Sequence, residues 1–319
     1  MSSGKLAKRS NDMNIEYYHP QPIRRVTLHP YQKYFSILLA DDGSPDVLAA
    51  IDLLVDLPLY NCTVTALSVV SNREAAGMAL REACLEQTRE RLEQGEITAR
   101  TILRGGDPAK MIVKTAEELS PHLVILGATG LKHAFGILLG GVAEKVVQAI
   151  HLPIMIYRHP YQGLRKIGFF TDGSSQAEYA AEYLGDFPLP DGAEIHIVHV
   201  IPPLPMHRLD RQAIQQPTPN GNGKAKQLSL QDADEILRRA TLILQRHELP
   251  TRVVLLQGEP CEQIREYVSK EKIDLVVVGA HGVSKGHSWQ FGSVPCKLLH
   301  YCPCPTLIVK PRLDVLSRN

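Results

Sequence analysis

The chain carries one pattern written twice, and this repetition restricts the available folds more than any other feature. Asp42-Gly43-Ser44 recurs as Asp172-Gly173-Ser174 at an offset of 130 residues. A longer set recurs at an offset of 152: Gly106 with Gly258, Gly127 with Gly279, Gly130 with Gly282, Gly140 with Gly292, Lys145 with Lys297 and Pro153 with Pro305. Glycines, prolines and a lysine held together at one spacing are the mark of tandem duplication. The offset grows by 22 between the first and third strands of the second copy, so an inserted loop is expected over about 202–228, a segment rich in Pro, Gln, Asn and Gly.

Within each copy, short apolar runs alternate with amphipathic ones, the pattern of βαβ units in a parallel sheet. In the first copy, strands are expected at Phe35–Ala40, Cys62–Val70, Ile97–Leu103, Leu123–Leu126 and Pro153–Tyr157. Between them lie helices: one capped by Ser44 with Pro45 in its first turn, a long one over Arg73–Glu93, one started by Gly106-Asp107-Pro108, and one from Gly140 to Ala149. The chain of 319 residues is long enough for two domains. They are expected at 34–160 and 161–312, with a polar arm over 1–33 and a tail over 313–319. Both copies end on an apolar fifth strand, Pro153–Tyr157 and Pro305–Val309. Unpaired edges of this kind tend to be covered, so the halves are expected to pack as an internal pseudo-dimer.

Charge removes several function classes. Lys and Arg number 35 against 34 Asp and Glu, and a net charge of +1 supplies no field for a nucleic-acid coat. The most apolar region, Val124–Ala143, is interrupted by Lys132, His133 and glycines, which argues against a membrane span. No apolar run follows Arg24-Arg25, so no export signal is read, and six cysteines are too sparse for a disulfide scaffold. A cytoplasmic protein is expected.

The residues that carry chemistry follow the fourth strand of each copy. Gly127-Ala-Thr-Gly130 and Gly279-Ala-His-Gly282 each lead, nine residues on, to a glycine at a helix start: Gly140-Gly141 in one copy and Gly292-Ser293 in the other. Loops leaving the C-terminal ends of parallel strands face the ligand crevice. Glycines let backbone amides approach an anion, and a helix N-terminus adds free N–H groups and partial positive charge. Ser293 adds a hydroxyl donor where Gly141 keeps only an amide. Neither copy carries the dinucleotide or P-loop fingerprint, which disfavours a dehydrogenase or P-loop NTPase.

These residues resemble the universal stress proteins in their tandem two-domain form. Gly279, Gly282, Gly292 and Ser293 match the Gly-x2-Gly-x9-Gly-[Ser/Thr] pattern of the ATP-binding members, and the two Asp-Gly-Ser turns stand where that family has them. The resemblance covers nearly everything but the arm. It implies two tandem doubly wound α/β domains, each a five-stranded parallel sheet with helices on both faces, and an adenine nucleotide at the strand ends. It places Asp172 and Val200 beside adenosine and Gly282, Gly292 and Ser293 at the phosphates, with Gly173, Gly279 and Val294 in the same cofactor site. The matching positions of the first copy are Asp42, Val69, Gly127, Gly130, Gly140, Gly141 and Val142. The expected cofactor is ATP, with or without magnesium. The first copy departs where Gly141 replaces Ser or Thr and where Asp41 precedes Asp42, so the second site ranks above the first.

Other residues support less. Cys296, His300, Cys302 and Cys304 lack C-x2-C spacing and do not read as a metal site; the three cysteines read as buried or semi-exposed thiols. His281, Lys285 and His287 read equally as partners of a phosphate's charge or as solvated loop residues, and Trp289 reads as a packing lid. No Ser-His-Asp or Cys-His arrangement singles out a nucleophile, so no catalytic residue is assigned. The expected function is an ATP-binding regulator of the stress response, with an unknown protein partner and the option of homo-oligomers. The alternatives are a nucleotide-independent assembly module and a slow ATPase.

Overall fold

The fourth strands read Leu-Val-Ile-Leu-Gly and Leu-Val-Val-Val-Gly. Such continuous apolar runs suit parallel strands covered on both faces. The structure, a computed structural model, describes residues 15–17, 34–71, 78–128, 139–203, 221–280 and 292–311. A short strand comes first, β1 (Ile15–Tyr17). The first half then runs β2 (Phe35–Ala40), α1 (Pro45–Asp56), β3 (Cys62–Val70), α2 (Met78–Gln94), β4 (Thr98–Gly105), α3 (Pro108–Leu119), β5 (Leu123–Gly127), α4 (Gly141–Ala149) and β6 (Ile154–Tyr157). The second repeats it as β7 (Lys166–Phe170), α5 (Ser175–Asp186), β8 (Glu194–Ile201), α6 (Gly221–Gln245), β9 (Thr251–Gln257), α7 (Pro260–Glu271), β10 (Leu275–Gly279), α8 (Ser293–Tyr301) and β11 (Thr306–Val309).

The two five-stranded sets form one sheet in the order β1-β9-β8-β7-β10-β11-β6-β5-β2-β3-β4. Within each half all pairs are parallel, and the half-sheets meet where β11 pairs antiparallel with β6. The register there sets Thr306 against Ile156, Leu307 against Met155 and Ile308 against Ile154. Met155 and Leu307 are equivalent positions of the two copies, so a pseudo-twofold axis passes through this pair. The expected internal pseudo-dimer is therefore a single continuous sheet. Alternate strand residues feed two apolar cores, each drawing on both halves. One face packs α1, α2, α5 and α6, and the other packs α3, α4, α7 and α8.

Cations from the strand ends fasten the same junction. The Arg158 Nη2 donates to the carbonyl of Leu299 near the end of α8. Its counterpart Lys310, 1% exposed, donates from Nζ to the carbonyls of Val147 and Ile150 at the end of α4, the second at 2.7 Å. Each half thus supplies donors to the carbonyls that the other half's last helix leaves open. Tyr183 of α5 also donates to the carbonyl of His122 at 3.0 Å, and Phe35 meets Phe187 edge-on.

Three expectations change. The 22-residue growth in offset divides in two, because the bond from the Asp41 amide to the Leu67 carbonyl is matched by one from Thr171 to Val198. One residue enters before β8, and the rest lies between β8 and β9. The inserted loop is also shorter than 202–228, because α6 already begins at Gly221. Finally, the arm is not wholly outside the folded layers: β1 pairs antiparallel with β9, Glu16 facing Val254, and covers the second half's outer edge.

Two outcomes follow from the junction. Either half expressed alone leaves a fifth strand whose register is self-complementary, so it should dimerise in sedimentation equilibrium; a monomer as stable as the whole chain would contradict this. Burial pushes Lys310 down to about 7 from an ordinary 10.5. Between those values the unfolded chain binds the proton that the folded protein does not, so this residue's contribution raises stability as pH rises from about 7 to 10.5. Chemical denaturation across that window should show a steeper rise for the native protein than for Lys310→Met.

Candidate functional site

Each half has the spatial strand order third-second-first-fourth-fifth, which reverses direction between its first and fourth strands. In open parallel sheets, ligands bind beyond the strand carboxyl ends at such a switch point. A cavity lies there in both halves. The first, about 470 Å³, is lined by residues including Asp41, Asp42, Val69, Arg81, Gly127 and Gly140 to Ala143. The second, about 300 Å³, is lined by residues including Asp172, His199, Val200, Gly279 and Gly292 to Pro295.

The Asp-Gly-Ser turns open both sites. Gly43 and Gly173 hold φ of +72° and +78°, a left-handed conformation that favours glycine. Asp42 and Asp172 each accept from the serine amide two residues on, at 3.0 Å in both copies. These carboxylates therefore shape the turn as well as lining the cavity. Ser174 accepts from the Ala177 amide at 3.2 Å and caps α5. Ser44 is the N-cap residue of α1, as expected, but only its carbonyl serves the helix, taking the Val47 and Leu48 amides, while its buried hydroxyl has no partner among the described residues. Asp41, 4% exposed, accepts from the Gly43 amide at 2.8 Å and from the Thr88 hydroxyl at 2.6 Å. The equivalent Thr171 accepts from Gly173, so Asp41 is the turn residue of its copy in charged form.

The glycines divide into two kinds. A Cβ on Gly127 would stand 2.9 Å from that of Asp46, and one on Gly279 would stand 2.9 Å from the Gln176 carbonyl group. These two permit close packing of a strand end on a helix start. Gly140 and Gly292 are instead the N-caps of α4 and α8, with ordinary φ of −67° and −61°. Beyond them, Gly141, Val142, Ser293 and Val294 open the helices toward the cavities. A Cβ on Gly141 would meet nothing within 4 Å. The two starts differ in a further respect: α8 carries Pro295, which has no N–H, where α4 has Ala143, and α4 places Glu144 in its first turn. Gly130 and Gly282 fall outside the described residues, as do Lys132, His281, Lys285, His287 and Trp289.

His199 belongs to none of the sequence motifs. It lies in β8, 9% exposed, with Nδ1 2.8 Å from the Thr171 carbonyl. That carbonyl only accepts, so Nδ1 carries the hydrogen and Nε2 is left as an acceptor. Burial lowers its pKa below the ordinary histidine value, which keeps the ring neutral near pH 7. The signal was a second histidine in the strand, directly before Val200. The equivalent residue in the first half is Ser68, whose buried hydroxyl has no partner among the described residues.

The model of the universal stress protein family matches residues 33–158 and again 163–310. The chain belongs to that family. It is similar to the universal stress protein Slr1230 of Synechocystis, 28% identical over 187 residues, with 58% of this chain and 56% of that protein covered. The match thus spans just over half of that relative's length. The universal stress protein MJ0531 of Methanocaldococcus jannaschii is 26% identical, covering 46% of this chain and 93% of its own. Among solved structures, a universal stress protein from Archaeoglobus fulgidus superposes with a TM-score of 0.64 at 20% identity, covering 86% of this chain and 98% of its own. That likeness establishes the tandem α/β fold.

The turns give a stability test. Alanine at either left-handed glycine costs about 1 kcal/mol or more. At Gly173 the new Cβ would also come within 2.5 Å of Ile236, against 3.3 Å from Cys84 at Gly43. Gly173→Ala should therefore lower the thermal midpoint more than Gly43→Ala.

Proposed function

We propose that the chain is an ATP-binding regulator of the stress response, and that the cavity of the second half is its main nucleotide site. The observation that supports this reading best is the opening of α8 at Gly292-Ser293 onto a largely apolar cavity at the switch point. A slot lined by Phe170, Val198, Val200 and Ile264 suits a planar base. The free amides at the helix start and the Ser293 hydroxyl suit phosphate oxygens. His199 offers an acceptor to a hydroxyl or amino hydrogen of the nucleoside. Asp172 and Gly173 form the turn at the cavity's rim.

Among the described residues no three His, Cys, Asp or Glu side chains gather as a metal site. Magnesium arriving with ATP would be held by phosphate oxygens and water, the usual arrangement for an ion that dehydrates reluctantly. The first cavity has the same frame but carries Asp41 and Asp42 in its wall and Glu144 in the first turn of its helix. Anion binding there works against these charges, with Arg81 as a partial offset. No transferred group or nucleophile is assigned, so the role proposed is binding and signalling. No helix among the described residues is long and apolar enough to cross a membrane, and the cytoplasm remains the proposed location.

Calorimetric titration with ATP tests the reading. Gly292→Val should weaken binding strongly, because a branched side chain would stand between the backbone and the phosphates while the cap's φ suits any residue. Ser293→Ala should cost about 1–3 kcal/mol, at least several-fold in affinity. Gly141→Ser, placed in open space, should strengthen the first site by about tenfold. Unchanged affinity in Gly292→Val would remove the second cavity as the site.

A further inference from the structure

At the junction of the two halves, Cys302 ends α8 and Cys304 precedes β11, with Pro303 between them and Pro305 following. Their sulfurs stand 3.5 Å apart. Cys302 is 1% exposed, while Cys304 lines a cavity of about 130 Å³ with Arg158, Tyr157, Ile273 and Pro303. Arg158 is the cation that fastens α8. Its Nη2 donates to the Leu299 carbonyl, and its Nη1 is buried with no partner among the described residues. The charge of Arg158 acts on both thiols.

The duplication supplies an internal control. The first copy fills the two positions with Ile150 and Leu152, so packing at this turn requires only apolar side chains. Two adjacent sulfurs, one of them in the same cavity wall as Arg158, exceed that requirement. From this cluster we infer that Cys302 and Cys304 form a reversible dithiol/disulfide redox site, oxidised by a hydroperoxide small enough to enter the cavity at the junction.

The chemistry balances with hydrogen peroxide as the oxidant. The sulfur of Cys302 attacks one peroxide oxygen, the O–O bond breaks, and the departing hydroxide takes up the thiol proton as water. Cys302 is then a sulfenic acid. The sulfur of Cys304 attacks it, the S–S bond forms, the S–O bond breaks, and a second water leaves with the Cys304 proton. Two thiols are oxidised and one peroxide is reduced to two waters. The hydrogen bond between the two sulfurs lowers the Cys302 pKa and raises that of Cys304, while the charge of Arg158 lowers both, which makes Cys302 the attacking sulfur. Closing the pair from 3.5 Å to a bond of about 2.05 Å draws the end of α8 toward β11, beside the Arg158 contact. The site is independent of nucleotide.

The full chain, treated with graded hydrogen peroxide, alkylated under denaturing conditions and digested, tests this by mass spectrometry. The peptide holding both cysteines should lose two hydrogens and escape alkylation at doses that leave the exposed Cys296 alkylated, and dithiothreitol should restore both thiols. Cys304→Ser should abolish that species and leave Cys302 as a sulfenic or sulfinic acid. Arg158→Lys, which keeps a charge but shortens the reach, should slow the loss of the two thiols several-fold relative to Cys296. The inference is overturned if Cys302 and Cys304 remain alkylated at doses that oxidise Cys296, or if they enter only bonds between chains. A rate unchanged in Arg158→Lys would overturn the part given to Arg158.

Discussion

The antiparallel pairing of β6 with β11 is the constraint on which the rest of the molecule depends. Each half ends on a four-residue apolar strand that, left as an edge, would expose unpaired backbone groups and invite association. Pairing these strands about Met155 and Leu307 satisfies both edges at once. It also makes each apolar core continuous from one half to the other. Arg158 and Lys310 then reach across to the carbonyl ends of the opposite half's last helix, and those are the helices whose N-termini open the two cavities. The junction thereby holds the far ends of the elements that meet the ligand.

The switch-point geometry is a property of topology, and duplication provides it twice. What differs between the copies is chemistry laid on one frame. Thr171 in the second turn is Asp41 in the first, and His199 is Ser68. At the helix starts, Ser293 and Pro295 stand where the first half has Gly141 and Ala143. The changes that favour an anion at the second site are partly offset there by the amide that Pro295 lacks. In the first site, a fuller set of amides is opposed by added carboxylates. The same divergence set two thiols at the junction in the second copy, where the first has two aliphatic side chains.

Much of this was legible in the residues. The repeat, the expected strands and most of the helices followed from apolar periodicity and from caps such as Asp107, which accepts from the Lys110 amide. The switch-point residues were legible as a motif. Other features were not. Ser44 carries an N-cap sequence signal, but the carbonyl of that residue takes the helix amides and its hydroxyl is left buried. Gly127 and Gly279 suggested amides exposed to an anion, whereas each lies against the first turn of a neighbouring helix. No local pattern in the arm announced that Ile15–Tyr17 would pair with β9.

The sequence by itself determined the βαβ order, the two copies and the placement of glycine turns at strand ends, because these follow from local periodicity and backbone freedom. The apolar fifth strands also announced where the halves would meet, but tertiary structure alone decided that they pair antiparallel about Met155 and Leu307 into one sheet. It also decided that Arg158 and Lys310 exchange helix ends and that His199 fixes its tautomer on Thr171. Each of these depends on contacts across the sheet, most between residues far apart in the chain, where a side chain's partner is chosen by topology and burial and not by its neighbours in sequence.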